Sequence, residues 1–151
     1  MGFKYRLEKV LKHRKSLEDL AKRNFLEAKA VLNEEEDLLN KFYESIHQSQ
    51  EQRHNLVSLG GNAGEKLSQI SDYIKGTEVK IERQKNIIKK QLAIVEERQR
   101  ALQAAAIEYK MVEKLKERQY TAYRENEKKL EQKEQTEMAN SRFEMRRKNE
   151  Q

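Results

Sequence analysis

The chain has 151 residues, 38% of them charged and 36% hydrophobic, with a net charge of +6 and no proline, cysteine or tryptophan; its mean hydropathy is -1.10. So few apolar residues in this length exclude an ordinary globular core, and the lack of cysteine excludes a disulfide framework or thiolate metal sites. No apolar run approaches the roughly 20 residues needed to cross a bilayer, and residues 1–15, MGFKYRLEKVLKHRK, lack the apolar stretch of a secretion signal, so the expectation is a cytoplasmic chain with no direct membrane insertion.

Apolar periodicity runs almost throughout, which separates this composition from disorder and predicts long helices. A first helix is predicted over about 3–59, with the stripe Leu7, Val10, Arg14, Leu17, Ala21, Phe25, Ala28, Leu32, Glu35, Leu39, Phe42 and Ile46. Leu11, Leu20, Val31 and Leu38 widen its apolar face. The steps alternate three and four except between Leu17 and Phe25, where two successive fours predict a stutter. Along this helix the charge shifts from eight Lys and Arg against three acids in 1–23 to three against seven in 24–58.

Residues 54–67 read HNLVSLGGNAGEKL and hold three of the five glycines. Glycine readily takes positive φ and ends helices, and Asn62 followed by Glu65 fits an N-cap with its capping-box partner, so a turn is predicted at 60–62. The second helix, about 63–145, carries one heptad position that reads Leu67, Ile74, Ile81, Ile88, Val95, Leu102, Tyr109, Lys116, Tyr123, Leu130. Its companion reads Ile70, Thr77, Gln84, Gln91, Arg98, Ala105, Val112, so the seam is half polar. Gly76 costs a helix interior about 1 kcal/mol relative to alanine, and the expectation there is a kink or a helix start after Thr77.

If the chain reverses near Gly60, Ile46 faces Ile74, Leu39 faces Ile81, Leu32 faces Ile88 and Phe25 faces Val95. Beyond the stutter the register slips by one, matching Leu17 with Leu102 and Val10 with Tyr109. The predicted fold class is all-α: residues 1–151 as a single long two-helix antiparallel coiled-coil hairpin, its second helix overhanging at the C-terminus. A dimer could use the same residues. Phe3 would fall near Lys116, leaving Tyr120, Tyr123, Leu130, Met138, Phe143 and Met145 beyond any intramolecular partner. An unpaired helix end with apolar residues usually awaits a partner.

Chemistry-bearing patterns are sparse. Of His13, His47 and His54, the last two could share a face but have no ready third metal ligand, and a two-helix rod offers no concave pocket for catalysis. The expectation is therefore no enzyme, no catalytic residue, no metal and no cofactor. The acidic run NEEED at 33–37 reads as a solvated helix face, and GGNAG lacks the lysine and preceding strand of a phosphate loop. Residues 111–151 interleave eleven Lys and Arg with nine acids, a pattern of helix-surface ion pairs rather than phosphate contacts, so no nucleic acid is expected. The better basic patch is the first helix's start, with Lys4, Arg6, Lys9 and Lys12. Phe42, Tyr43 and Tyr73 cannot all face a two-helix seam; they read as an interface or as a wider local seam.

Two segments resemble a known family. FKYRLEKVLKHR, residues 3–14, is similar to the opening of FliJ, the small coiled-coil component of the bacterial flagellar export apparatus, and MVEKLKERQYTAYRENEKKLEQKEQTEMANSR, residues 111–142, resembles the family's C-terminal stretch. The resemblance implies an antiparallel hairpin similar to the γ stalk of rotary ATPases. It also implies a stalk that promotes hexamer assembly of the export ATPase FliI, occupies the hexamer centre, contacts the gate protein FlhA and helps recycle export chaperones. Such a protein would sit in the cytoplasm, peripherally at the inner-membrane export apparatus. On that reading Arg6, Lys9, Tyr120, Tyr123 and Leu130 are the expected ATPase-docking residues, and Phe42, Tyr43 and Tyr73 the expected export-gate contact. Two readings stay open beside it: the related stalk of a virulence-type secretion system, and a homodimeric coiled-coil scaffold without an ATPase partner.

Overall fold

The computed structural model describes residues 2–61 and 63–150. Two helices account for nearly all of them, α1 (Glu8–Leu59) and α2 (Gly64–Asn149), and they pack against each other as an antiparallel hairpin with no strand among the described residues. The chain divides into two compact units: Met1–Leu17 with Ala105–Gln151, and Glu18–Ala104.

The turn belongs to the second unit. Gly60 and Gly61 have φ of 67° and 106°, a region that side chains with a Cβ rarely enter, which is why two glycines stand here. The Gly60 N–H donates to the Val57 carbonyl at 3.3 Å, and the Leu67 N–H donates to the Ala63 carbonyl at 2.9 Å as α2 begins. The expected cap at Asn62 lies outside the described residues. At Gly76 the expected late start is overturned: α2 is already helical from Gly64 and runs through it.

Between the helices of the second unit, Ala28, Leu32 and Val95 form a buried cluster with Phe25 and Ile88 packed on it. This is the expected juxtaposition of Leu32 with Ile88 and Phe25 with Val95. The polar half of the seam has its own chemistry. Gln84, buried, donates its side-chain amide to the Glu35 carbonyl at 2.9 Å, and Gln91 donates to the Ala28 carbonyl at 3.0 Å. Helix carbonyls keep a second lone pair after their intrahelical bond, so each glutamine is satisfied without breaking α1. Thr77 returns its hydroxyl to the Tyr73 carbonyl of its own helix at 2.8 Å.

In the first unit the expected start of the helix at Phe3 is corrected. Residues 2–5 have no regular secondary structure, 6–7 form a turn, and α1 begins at Glu8. Tyr5 is buried, and its hydroxyl donates to the Val112 carbonyl at 3.0 Å. A non-helical segment is not held to the roughly 1.5 Å rise per residue of a helix, so this N-terminal strap reaches further along α2 than a helical start would. Phe3 accordingly meets Tyr120 and Tyr123, with ring centroids 5.4 and 5.5 Å away, instead of Lys116. Lys116 pairs with Glu8 at 2.8 Å, and Arg14 pairs with Glu108.

The expected stutter is also absent. Along α1, Leu11, Arg14, Glu18, Ala21, Phe25, Ala28 and Leu32 are buried or half-buried, with Asn24 beside Phe25, and they keep an unbroken alternation of three and four. Leu7, Val10 and Leu17, assigned to the stripe from their hydrophobicity, are exposed. The Tyr109 ring, expected opposite Val10, instead carries the Lys15 ammonium 5.2 Å from its centroid. Hydrophobicity alone misplaced the stripe at the start of α1, where the half-buried positions include charged residues: Arg14, matched by an acid on α2, and then Glu18 in place of Leu17.

Candidate docking surfaces

In the first unit the strap and α2 build an aromatic cluster from Phe3, Tyr120 and Tyr123. Tyr120 and Tyr123 come three apart on one helix face, and the strap lays Phe3 on both. Arg124 donates to the Tyr120 hydroxyl at 3.2 Å, and its guanidinium lies 6.0 Å from the Tyr120 ring centroid. The Tyr123 hydroxyl donates to Glu127 at 2.6 Å, and this bond to a carboxylate raises the Tyr123 pKa above its ordinary value. The Arg124 pKa is raised through its bond to Tyr120.

Every residue from 124 to 150 is exposed. Leu130 stands one heptad beyond Tyr123 and is 55% exposed; Met138, Phe143 and Met145 follow at 64 to 70%. Arg6 and Lys9 are exposed on the strap and the first turn of α1. The structure thus brings Tyr120 and Tyr123 together, places Leu130 on the bare helix beyond them, and leaves Arg6 and Lys9 as solvated charges.

In the second unit the three aromatics do not form one patch. Phe42 lies half-buried in the seam. Tyr43 is 44% exposed on one flank, where its hydroxyl meets Lys85, and this bond, ahead of the charge of Glu82, raises the Lys85 pKa. Tyr73 is 52% exposed on the other flank, where it lines a shallow depression of about 360 Å³ with Ser45, Ser49, Gln52, Gln69 and Ile70.

The profile of the flagellar FliJ protein family matches residues 3–148. The chain belongs to the FliJ family. Its match takes in both helices, the turn, the strap from Phe3 and almost all of the bare end of α2, and membership makes this chain a component of flagellar protein export. Its fold is also similar to that of CT670 from Chlamydia trachomatis, described as a YscO homolog, with a TM-score of 0.53, 21% identity, and coverage of 95% of this chain and 93% of that one. Comparison with curated proteins gives no match.

For this FliJ-family chain, sequence reasoning missed Phe3 and Tyr5 as packing residues. The available signal was the alternation of Phe3 and Tyr5 with Lys4 and Arg6, a period of two that does not belong to a helix. Among the described residues no group of three or more His, Cys, Asp or Glu could hold a metal ion, and no helix is long and apolar enough to cross a membrane. His47 meets Glu51 one turn away at 3.2 Å.

Proposed function

We propose that this FliJ-family chain is a non-enzymatic stalk and regulator of the flagellar, type III, export ATPase. In this reading it promotes assembly of the FliI hexamer, sits at the hexamer centre, links it to the gate protein FlhA and takes part in escorting export chaperones, all at the cytoplasmic side of the inner-membrane export apparatus. The observation that carries the reading is the bare end of α2: residues 124–150 are exposed and bear Leu130, Met138, Phe143 and Met145. A helix that keeps apolar side chains in water without covering them within its own chain is suited to insertion among the subunits of a partner. Arg6 and Lys9 supply exposed positive charge in the same unit, a means of steering toward an acidic rim. The gate contact falls to Tyr43 or Tyr73, and because they occupy different flanks a single small patch would use one of them.

The deciding experiment adds the full chain, or a chain lacking residues 125–151, to purified FliI and measures hexamer formation and ATP hydrolysis. The full chain is expected to stimulate both, and the truncated chain neither, while circular dichroism shows the remaining hairpin still folded. Full stimulation by the truncated chain would remove the bare helix from the proposal. No stimulation by the full chain would reject the stalk reading.

A further inference from the structure

The second unit has two unlike flanks. Pairing of antiparallel helices groups Tyr43 of α1 with Lys85 of α2 on one flank, and Val31 with Ile94 on the other, where both line a single groove with Asn24, Gln91 and Arg98. One heptad further along each helix, the Val31 flank adds Leu38 and Ile87, and Lys80 stands at its edge one heptad beyond Ile87. These four aliphatic side chains are 39 to 45% exposed. The Tyr43 flank carries Lys29, Glu36, Glu78 and Lys85 with Leu92 the one aliphatic residue among them. A hairpin with one aliphatic flank and one charged flank is half of a helical bundle.

What belongs on the aliphatic flank is indicated by its rims. On α1, Val31 stands between Glu27 and Glu34, four before and three after it; on α2, Ile87 stands between Arg83 and Lys90 at the same offsets. The bonds from Gln84 to Glu35 and from Gln91 to Ala28 bracket Val31 and Ile87 and set them at the same height along the hairpin. One rim is therefore acidic and the other basic at a common level. None of the four charges is ion-paired within the chain among the described residues.

We infer that this flank is a self-association face, its occupant a second copy of this chain. A two-fold axis parallel to the helices lays α1 of one copy antiparallel on α2 of the other, so that Glu27 and Glu34 meet the partner's Arg83 and Lys90, and the reverse contact forms on the other rim. Val31, Leu38, Ile87 and Ile94 of both copies then fill the centre of a four-helix bundle. The other face-to-face arrangement, α1 on α1, sets acid against acid and base against base and is disfavoured. An apolar centre of this size makes a weak, concentration-dependent dimer and not an obligate one. The inference does not depend on the ATPase reading, whose docking residues lie in the first unit.

Light scattering or sedimentation of the full chain over a wide concentration series tests it. The mass should climb from 18.0 kDa toward twice that value, and Ile94→Lys should hold it at the lower value with unchanged helicity. Two further chains make the test specific. Glu27→Lys with Glu34→Lys makes both rims positive, and Arg83→Glu with Lys90→Glu makes both negative. Each should remain a single chain alone, and an equimolar mixture should associate. A wild-type chain that stays at 18.0 kDa throughout overturns the inference, as does a mixture of the two reversed chains that fails to associate, since helicity of each reports that it has folded.

Discussion

The glycines and glutamines show how single residues act here in ways their neighbours do not. Gly60 and Gly61 have positive φ, and although a Cβ at either would meet open space, the backbone itself resists it. Gly60→Ala should therefore destabilise the hairpin by about 1–2 kcal/mol. Gly76 is different: a Cβ there also meets nothing within 4 Å, but its φ is not positive and it lies inside α2. Gly76→Ala should stabilise by about 1 kcal/mol. Urea unfolding of the two variants checks the opposite signs, and a loss of stability at Gly76 would show that the glycine serves a purpose the helix does not reveal. Gln84 is nearly fully buried, so Gln84→Ala removes both volume and the bond to the Glu35 carbonyl and should cost about 2 kcal/mol. Gln84→Leu restores the volume, the Glu35 carbonyl keeps its intrahelical bond, and the half-buried Glu35 carboxylate, which also accepts from Gln84, turns to water, so that variant should fall within about 1 kcal/mol of wild type. Equal losses for Ala and Leu would mean that the hydrogen bond, not the packing, holds the site.

At the scale of elements, the turn and the strap differ from the helices in what they tolerate. Two glycines inserted at Gly61 lengthen a loop at small entropic cost, whereas one alanine inserted after Ile88 rotates the rest of α2 by about 100° and takes Val95 off the Ala28 and Leu32 cluster. The thermal midpoint should fall far more for the alanine insertion. The reverse order would argue against the hairpin. The strap is held by Tyr5 and Phe3. Phe3→Ala removes its contact with Tyr120 and Tyr123 while leaving α1 intact, so trypsin should cut after Lys4 and Arg6 several times faster with little change in the global midpoint. Unchanged cleavage would show that Tyr5 alone secures the segment.

For the whole molecule, the test of function is how its exposed regions respond to a partner. Residues 124–150 are exposed, with side-chain bonds that reach only along α2 itself, and should exchange amide hydrogens quickly in the free chain, then gain protection when the export ATPase is added. Charge and apolar contacts should separate kinetically. Reversing Arg6 and Lys9 to Glu should slow association and lose its effect in high salt, while Leu130→Ala should mainly speed dissociation. Surface binding kinetics at two ionic strengths would decide this, and a salt-independent effect of the charge reversal would remove steering from the proposal.

Much of this protein follows from its sequence alone. The composition ruled out a globular core, the heptads of α2 identified its seam as far as Tyr123, and the paired glycines located the reversal, because periodicity and backbone freedom are local properties that a single strand of text carries. The family, too, was legible from residues 3–14 and 111–142. The tertiary structure decided the rest. Glu18 and not Leu17 follows Arg14 along the half-buried face of α1, because burial depends on what lies opposite and not on a side chain's own hydrophobicity. Phe3 reaches Tyr120 and Tyr123 because the strap is not helical and is secured by a buried tyrosine more than a hundred residues from its acceptor. Tyr43 and Tyr73 parted onto opposite flanks for the same reason: a heptad names a residue's column on one helix, and only the second helix, set in register by Gln84 and Gln91, determines which columns share a face.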